Sequence, residues 1–127
     1  TPERCLDLLA AVGDSHLQAA FDPGNFAAIG VDTRAAWELL ADRVSYFHIK
    51  DAITESGRWV PAGLGDAEVE PILQAALARG YAGYLSVEPH LKENDPDYGG
   101  GGAERFLLAT RALRAILHRL GAIETTA

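Results

Sequence analysis

Val44-Ser45-Tyr46-Phe47-His48 is a short apolar run that ends in a metal-ligating side chain. Two other stretches repeat its plan: Gln18-Ala19-Ala20-Phe21-Asp22 and Tyr84-Leu85-Ser86-Val87-Glu88. Each is followed by a turn and then by a helical pattern. Strands that alternate with helices imply right-handed crossovers and a parallel sheet, and such sheets gather their sites at the carboxyl ends of the strands. An Asp, a His and a Glu converging there supply the oxygen and nitrogen donors that suit a divalent cation.

The rest of the chain falls into place around these runs. Thr1-Pro2 reads as an N-cap and first helical position; Leu6, Leu9, Ala10 and Val12 recur near helical spacing, and Gly13 is a stop. Pro23-Gly24-Asn25 closes the first strand as a turn. Thr33 caps a second helix carrying Ala36, Trp37, Leu40 and Ala41. The second strand spans Val44 to Ile49, and a long loop covers 51–65. Pro71 opens a third helix, with Ile72, Leu73, Ala76 and Leu77, and Gly80 ends it. A third strand runs from Gly83 to Glu88 and stops at Pro89. A second long loop, 91–102, ends in four glycines and reads as mobile. A last helix carries Phe106, Leu107, Leu113, Ile116, Leu117 and Leu120, and the tail 124–127 reads as frayed. The order is α-β-α-β-α-β-α.

Side chains alternate across a strand with period two. Asp22 therefore shares a face with Ala20, His48 with Tyr46 and Val44, and Glu88 with Ser86 and Tyr84. The opposite face holds Phe21, Phe47, Ile49, Leu85 and Val87, is more uniformly apolar, and should meet the helices. Helices on one face only are the mark of a barrel rather than of a doubly wound sheet. Three strands do not close a barrel, which needs about eight strands and about 250 residues. At 127 residues the chain is one domain's worth at most. The expectation is the carboxyl-terminal half of a single barrel domain over 1–127, completed by a missing half or by a second chain.

Composition narrows the partners. A net charge of −7 with no Lys/Arg cluster argues against a nucleic-acid partner. No apolar stretch reaches the roughly 18 residues of a membrane span, and no signal peptide is visible, so a cytoplasmic protein is expected. Cys5, the lone cysteine, is read as a small apolar helix residue.

Phe21-Asp-Pro-Gly-Asn25, Phe47-His-Ile-Lys-Asp51, Gly63-Leu-Gly-Asp66 and Ser86-Val-Glu-Pro-His-Leu91, with Gly80-Tyr-Ala-Gly-Tyr-Leu85 leading into the last strand, follow in order at βα spacings. Together they resemble the xylose-isomerase-like TIM barrels, the sugar-phosphate isomerase/epimerase superfamily. The resemblance covers nearly the whole chain. It implies an α/β fold forming part of a (β/α)8 barrel, with about three parallel strands (the sixth to eighth) and four helices. It implies metal ligands at Asp22, His48 and Glu88, with Glu88 also catalytic, moving a proton beside a metal-stabilised enediolate. The cation implied is Mn²⁺ or Mg²⁺, with Co²⁺ or Zn²⁺ as alternatives, and the substrate a small carbohydrate. The fourth ligand of the family, a Glu on the fifth strand, would lie just before Thr1. Many relatives carry a His where this chain has Asn25, which can hydrogen-bond a substrate hydroxyl.

Each residue also has a plain structural reading. Asp22 opens a good turn sequence, and His48 sits between apolar neighbours as a core histidine would. Glu88 ends an apolar strand, where an unpartnered carboxylate is costly. Lys50 and Asp51 could reach the pocket mouth, Lys50 to bind a substrate phosphate or carboxylate or simply to stand in solvent. His90 could bind a substrate hydroxyl, and Arg58 and Trp59 could cover the substrate or anchor the loop. Gly63-Leu-Gly65-Asp66 lacks a phosphate-loop pattern, and the family resemblance implies that it shapes the rim after the second strand of this chain, the seventh of the barrel. The readings left standing are an isomerase/epimerase, a dehydratase of a cyclic polyol or dehydroshikimate on the same scaffold, and a non-catalytic half-barrel module. An apurinic-site endonuclease, a multi-zinc enzyme, would need more histidines.

Overall fold

The computed structural model describes residues 1–13 and 16–122. The tail 124–127, read as frayed, lies outside the described residues. Helix α1 (Pro2–Val12) starts where Thr1 Oγ1 accepts from Arg4 N and stops at Gly13, whose φ of 66° is the left-handed value that glycine tolerates. Strand β1 (Ala19–Phe21) leads into α2 (Pro23–Ala28) and α3 (Thr33–Leu40), and a 3₁₀ turn (Ala41–Arg43) delivers the chain to β2 (Val44–Ile49). A hairpin of β3 (Asp51–Ile53) and β4 (Arg58–Val60) follows, then α4 (Val69–Ala78), β5 (Tyr84–Val87) and α5 (Gly102–Arg119).

The principal sheet has the order β1-β2-β5, and both pairings are parallel. Phe21, Phe47 and Leu85 lie side by side across it, as do Ala20, Tyr46 and Tyr84. The first row belongs to the helix-facing side. Phe21, Trp37 and Phe47 form a ring cluster with centroids 5.4 to 5.8 Å apart, and Ile49, Leu40, Ile72, Leu73 and Ile116 close the core around it. Each such buried side chain contributes about 1.5–3 kcal/mol. The second row is open: Ala20 is exposed and Tyr84 is 75% exposed, while Tyr46 hydrogen-bonds Ser86 Oγ at 2.8 Å. Helices cover one face and not the other, which is the sector of a barrel.

Four local expectations are corrected. Pro23-Gly24-Asn25 is the first turn of a helix, with Asp22 as N-cap and Pro23 in the first helical position. Among the described residues this gives five α-helices rather than four. Asp32, not Thr33, caps α3, accepting from Ala35 N at 2.9 Å. The loop over 51–65 contains the β3–β4 hairpin, whose three-residue strands are too short to show an alternation. Cys5 does lie on a helix, but it is exposed rather than packed. The glycine-rich loop is tethered through Asp95, which accepts from Asp97 N, Tyr98 N and the Arg58 guanidinium.

Candidate metal centre

Asp22 leaves β1 with φ −127° and turns its carboxylate over the first turn of α2. Its Oδ1 accepts from Asn25 N at 2.9 Å, and its Oδ2 accepts from Asn25 Nδ2 at 2.8 Å. The turn-former reading and the site reading of Asp22 thus describe two oxygens of one side chain. His48 sits near the end of β2, its ring edge-on to Tyr46 with centroids 5.6 Å apart. Glu88 follows β5, and its N–H donates to Ile49 O at 3.0 Å, so the β2–β5 ladder still holds its backbone.

The three side chains meet. His48 Nδ1 lies 3.5 Å from Glu88 Oε1 and 3.8 Å from Asp22 Oδ2. One ligand atom from each of the three falls within 4.8 Å of the others. Two carboxylates and an imidazole at this separation fit a divalent cation. The site is graded in exposure, from a nearly buried Asp22 side chain to His48 and Glu88, each about one-third exposed, so it opens on one side.

Lys50 belongs to the same cluster. It is 3% exposed, which removes the reading of a solvated loop lysine. Its Nζ lies 2.8 Å from Asp22 Oδ2 and 3.0 Å from Glu88 Oε2, between carboxylates from two different strands. Burial works to depress the ammonium pKa, but hydrogen bonds to Asp22 and Glu88, with their charges, outweigh it and raise the value. In turn, the hydrogen bond from Lys50 is the main reason that the Glu88 carboxyl is held below its ordinary value. Gly24 makes room for the Lys50 stem. A Cβ there would lie 2.6 Å from Lys50 Cγ and 2.8 Å from Lys50 O.

A wall stands beside the cluster. The Trp59 and His90 rings meet edge-on at 5.1 Å, and Lys50 Nζ lies 5.7 Å from the Trp59 centroid. His90 is exposed, with a left-handed φ of 48° that is rare for a side chain of its size. Asn25 is exposed and tied to Asp22. Arg58 holds Asp95 and Asp97 in charge-assisted bonds of 2.6 to 2.8 Å. Asp51 does not reach the pocket mouth. It is fully buried, with Oδ1 accepting from Ala52 N and Ala67 N and Oδ2 from Gly63 N and Gly65 N. Gly63-Leu-Gly65-Asp66 therefore serves to satisfy a buried carboxylate.

The sequence profile described as xylose isomerase-like TIM barrel matches residues 1–110, and the chain belongs to that family. Among solved structures, a xylose isomerase domain protein from Planctomyces limnophilus superposes with a TM-score of 0.71 at 25% identity, over 94% of this chain and 44% of that one. A xylose isomerase domain protein from Alicyclobacillus acidocaldarius subsp. acidocaldarius gives 0.66 at 21% identity, over 96% and 44%. The chain thus spans less than half the length of these solved relatives. No curated protein matches the sequence. Among the described residues, no helix is long and apolar enough to cross a membrane.

Proposed function

We propose that this chain carries three of the four metal ligands of a sugar or sugar-phosphate isomerase or epimerase, with Mn²⁺ or Mg²⁺ as the cation. The observation that supports it is the meeting of Asp22, His48 and Glu88 at the carboxyl end of the sheet, within 4.8 Å, in a chain of this family. A divalent ion held there supplies the charge that stabilises an oxyanion developing on the substrate carbonyl.

The chain's own residues carry the other tasks. Glu88 is the proton carrier, taking a proton from the carbon beside the carbonyl and returning it to the product. Before a metal enters, Lys50 holds Glu88 Oε2, and Glu88 Oε1 is the oxygen turned toward His48. Trp59 and His90 stand beside Lys50 and the cluster, and His90 and Asn25 offer polar atoms to substrate hydroxyls. The sheet is open on its inner face and at its β5 edge, beside a groove lined by Tyr81, Leu85, Leu113 and Leu117. Completion of the barrel by a further half, carrying the fourth ligand, is part of the reading.

The test is solvent exchange. With Mn²⁺ and a ketose or ketose phosphate in D₂O, the protein should wash deuterium into the carbon next to the carbonyl. Glu88→Gln should lower that rate by about 10²–10⁴-fold, the range for a lost general base. Exchange that survives Glu88→Gln at the parent rate would refute the assignment.

A further inference from the structure

Lys50 occupies the place where a cation belongs. Its Nζ lies within 3.0 Å of an oxygen from each of two proposed ligands, Asp22 and Glu88. Asp22 Oδ2 accepts from both Lys50 Nζ and Asn25 Nδ2, and Oδ1 accepts from Asn25 N. A carboxylate has about four lone-pair sites, two per oxygen. The oxygen of Asp22 that faces His48 is already engaged twice. A divalent ion bound to that oxygen would also stand within a few ångströms of a buried ammonium, and like charges in such a setting repel strongly.

The lysine is built into this position. Gly24 lacks the Cβ that would strike its stem, and the Trp59 face flanks its head. The two carboxylates would otherwise face each other across the cluster.

We infer that Lys50 is the resident counter-cation of the site, and that a divalent metal enters by displacing its ammonium from Asp22 and Glu88. The inference rests on the metal-site reading above and adds a competitor to it. Lys50 is a positioning residue: in the metal-free protein it holds the ligands converged, and on loading it moves outward.

Two measurements test this. The first is Mn²⁺ affinity by calorimetry for the parent and for Lys50→Met, which keeps the buried stem and removes the charge. The variant should bind on the order of tenfold more tightly or better, because a like charge has been taken from beside the ion. The second needs no substitution. Lys50 and Lys92 are the only lysines of the chain, and Lys92 is exposed. Acetic anhydride labelling read by mass spectrometry should find Lys50 shielded without metal. At saturating Mn²⁺ its labelling should rise several-fold relative to Lys92. Equal Mn²⁺ affinity with Lys50 still shielded would overturn the exchange while leaving the metal site intact. No Mn²⁺ bound by parent or variant would overturn the metal-site reading and the exchange together. Where affinity and labelling disagree, or Lys50→Met does not fold, the labelling ratio decides.

Discussion

Asp22 and Asp51 are both buried at the carboxyl end of the same sheet, yet their surroundings differ in kind. Asp51 is enclosed by main chain, with four N–H groups from the 52–67 segment on its two oxygens. Those donors cannot leave without unfolding the loop. Asp22 is held by one main-chain N–H and by two side chains, Asn25 and Lys50, which can move. A carboxylate saturated by backbone is a structural brace. A carboxylate held by side chains, beside an imidazole and a second carboxylate, is available for exchange. Burial alone does not separate the two, since Asp51 is 0% and Asp22 8% exposed; the nature of the donors does.

The largest effect should come from the brace. Asp51→Asn keeps the shape but turns an NH₂ toward two backbone donors. Two buried N–H groups then lose their acceptor, at about 1–3 kcal/mol each, so roughly 2–6 kcal/mol of stability should go. Gly65→Ala should also be damaging, through a clash at the same carboxylate, because its Cβ would collide with Asp51 Oδ1 and the Ala52 carbonyl. Urea denaturation measures both. An Asp51→Asn protein as stable as the parent would erase the contrast.

Asp22→Asn should behave in the opposite way. Asn is as good an N-cap as Asp, so α2 should keep its start; the stability cost should come from Lys50, whose buried ammonium loses one of its two carboxylate partners and keeps Glu88, and should be about 1–3 kcal/mol, below the Asp51→Asn loss. Mn²⁺ affinity, by contrast, should fall by about 10-fold or more, since a neutral amide replaces an anionic ligand. Calorimetry against the denaturation midpoint separates the two effects. A variant that loses stability but not affinity would move Asp22 into the structural class.

Much of this was legible in the chain. Period-two alternation carries Asp22, His48 and Glu88 to one face and Phe21, Phe47 and Ile49 to the other, because a parallel ladder keeps parity fixed across strands. The same counting from His48 reaches Lys50, so its presence on the site face was available from the sequence; only its position in a Lys-Asp pair at a loop entrance suggested solvent. Asp22-Pro23 also carried an N-cap and first-position signal for α2, masked by the turn strength of Pro-Gly-Asn. The Asp51 cradle was not legible. Three of its four donors are backbone N–H groups of residues 12 to 16 positions downstream, and backbone groups have no identity in a sequence.

The smaller expected effect concerns the pH dependence of the Asp22–Lys50–Glu88 bridge. Lys50 has a raised pKa in the folded chain. Its contribution is present below its unfolded value, about 10.4, and is lost as pH climbs through the folded one. Glu88 has a lowered pKa. Its contribution is present above its unfolded value, about 4.3, and is lost as pH falls through the folded one. The stability difference between parent and Lys50→Met should therefore be widest on a plateau between about pH 5 and pH 10 and narrow on both sides. Thermal unfolding in metal-free buffer across that range reads it directly. A difference that does not vary with pH would mean that Lys50 acts through its packed stem alone, and would place it with Asp51 as a brace.

The smallest effect belongs to Arg58, which ties the β3–β4 hairpin to the glycine-rich loop through Asp95 and Asp97 and stacks over Tyr98 at 5.1 Å. Its partners are side chains, as at Asp22; Asp97 lies toward solvent, and Asp95, whose side chain is 6% exposed, keeps the N–H groups of Asp97 and Tyr98 when the guanidinium is gone, so little global stability should depend on the ion pair. Arg58→Gln should leave the unfolding midpoint within error of the parent, yet free the loop whose turn is organised on Asp95. Limited proteolysis between 92 and 100 should accelerate while the rest of the chain keeps its resistance, because cleavage follows local opening rather than global unfolding. If the midpoint falls instead and the loop is cut no faster, the latch is part of the cooperative core, and side-chain donors at this end of the sheet brace the fold as firmly as the main chain does around Asp51.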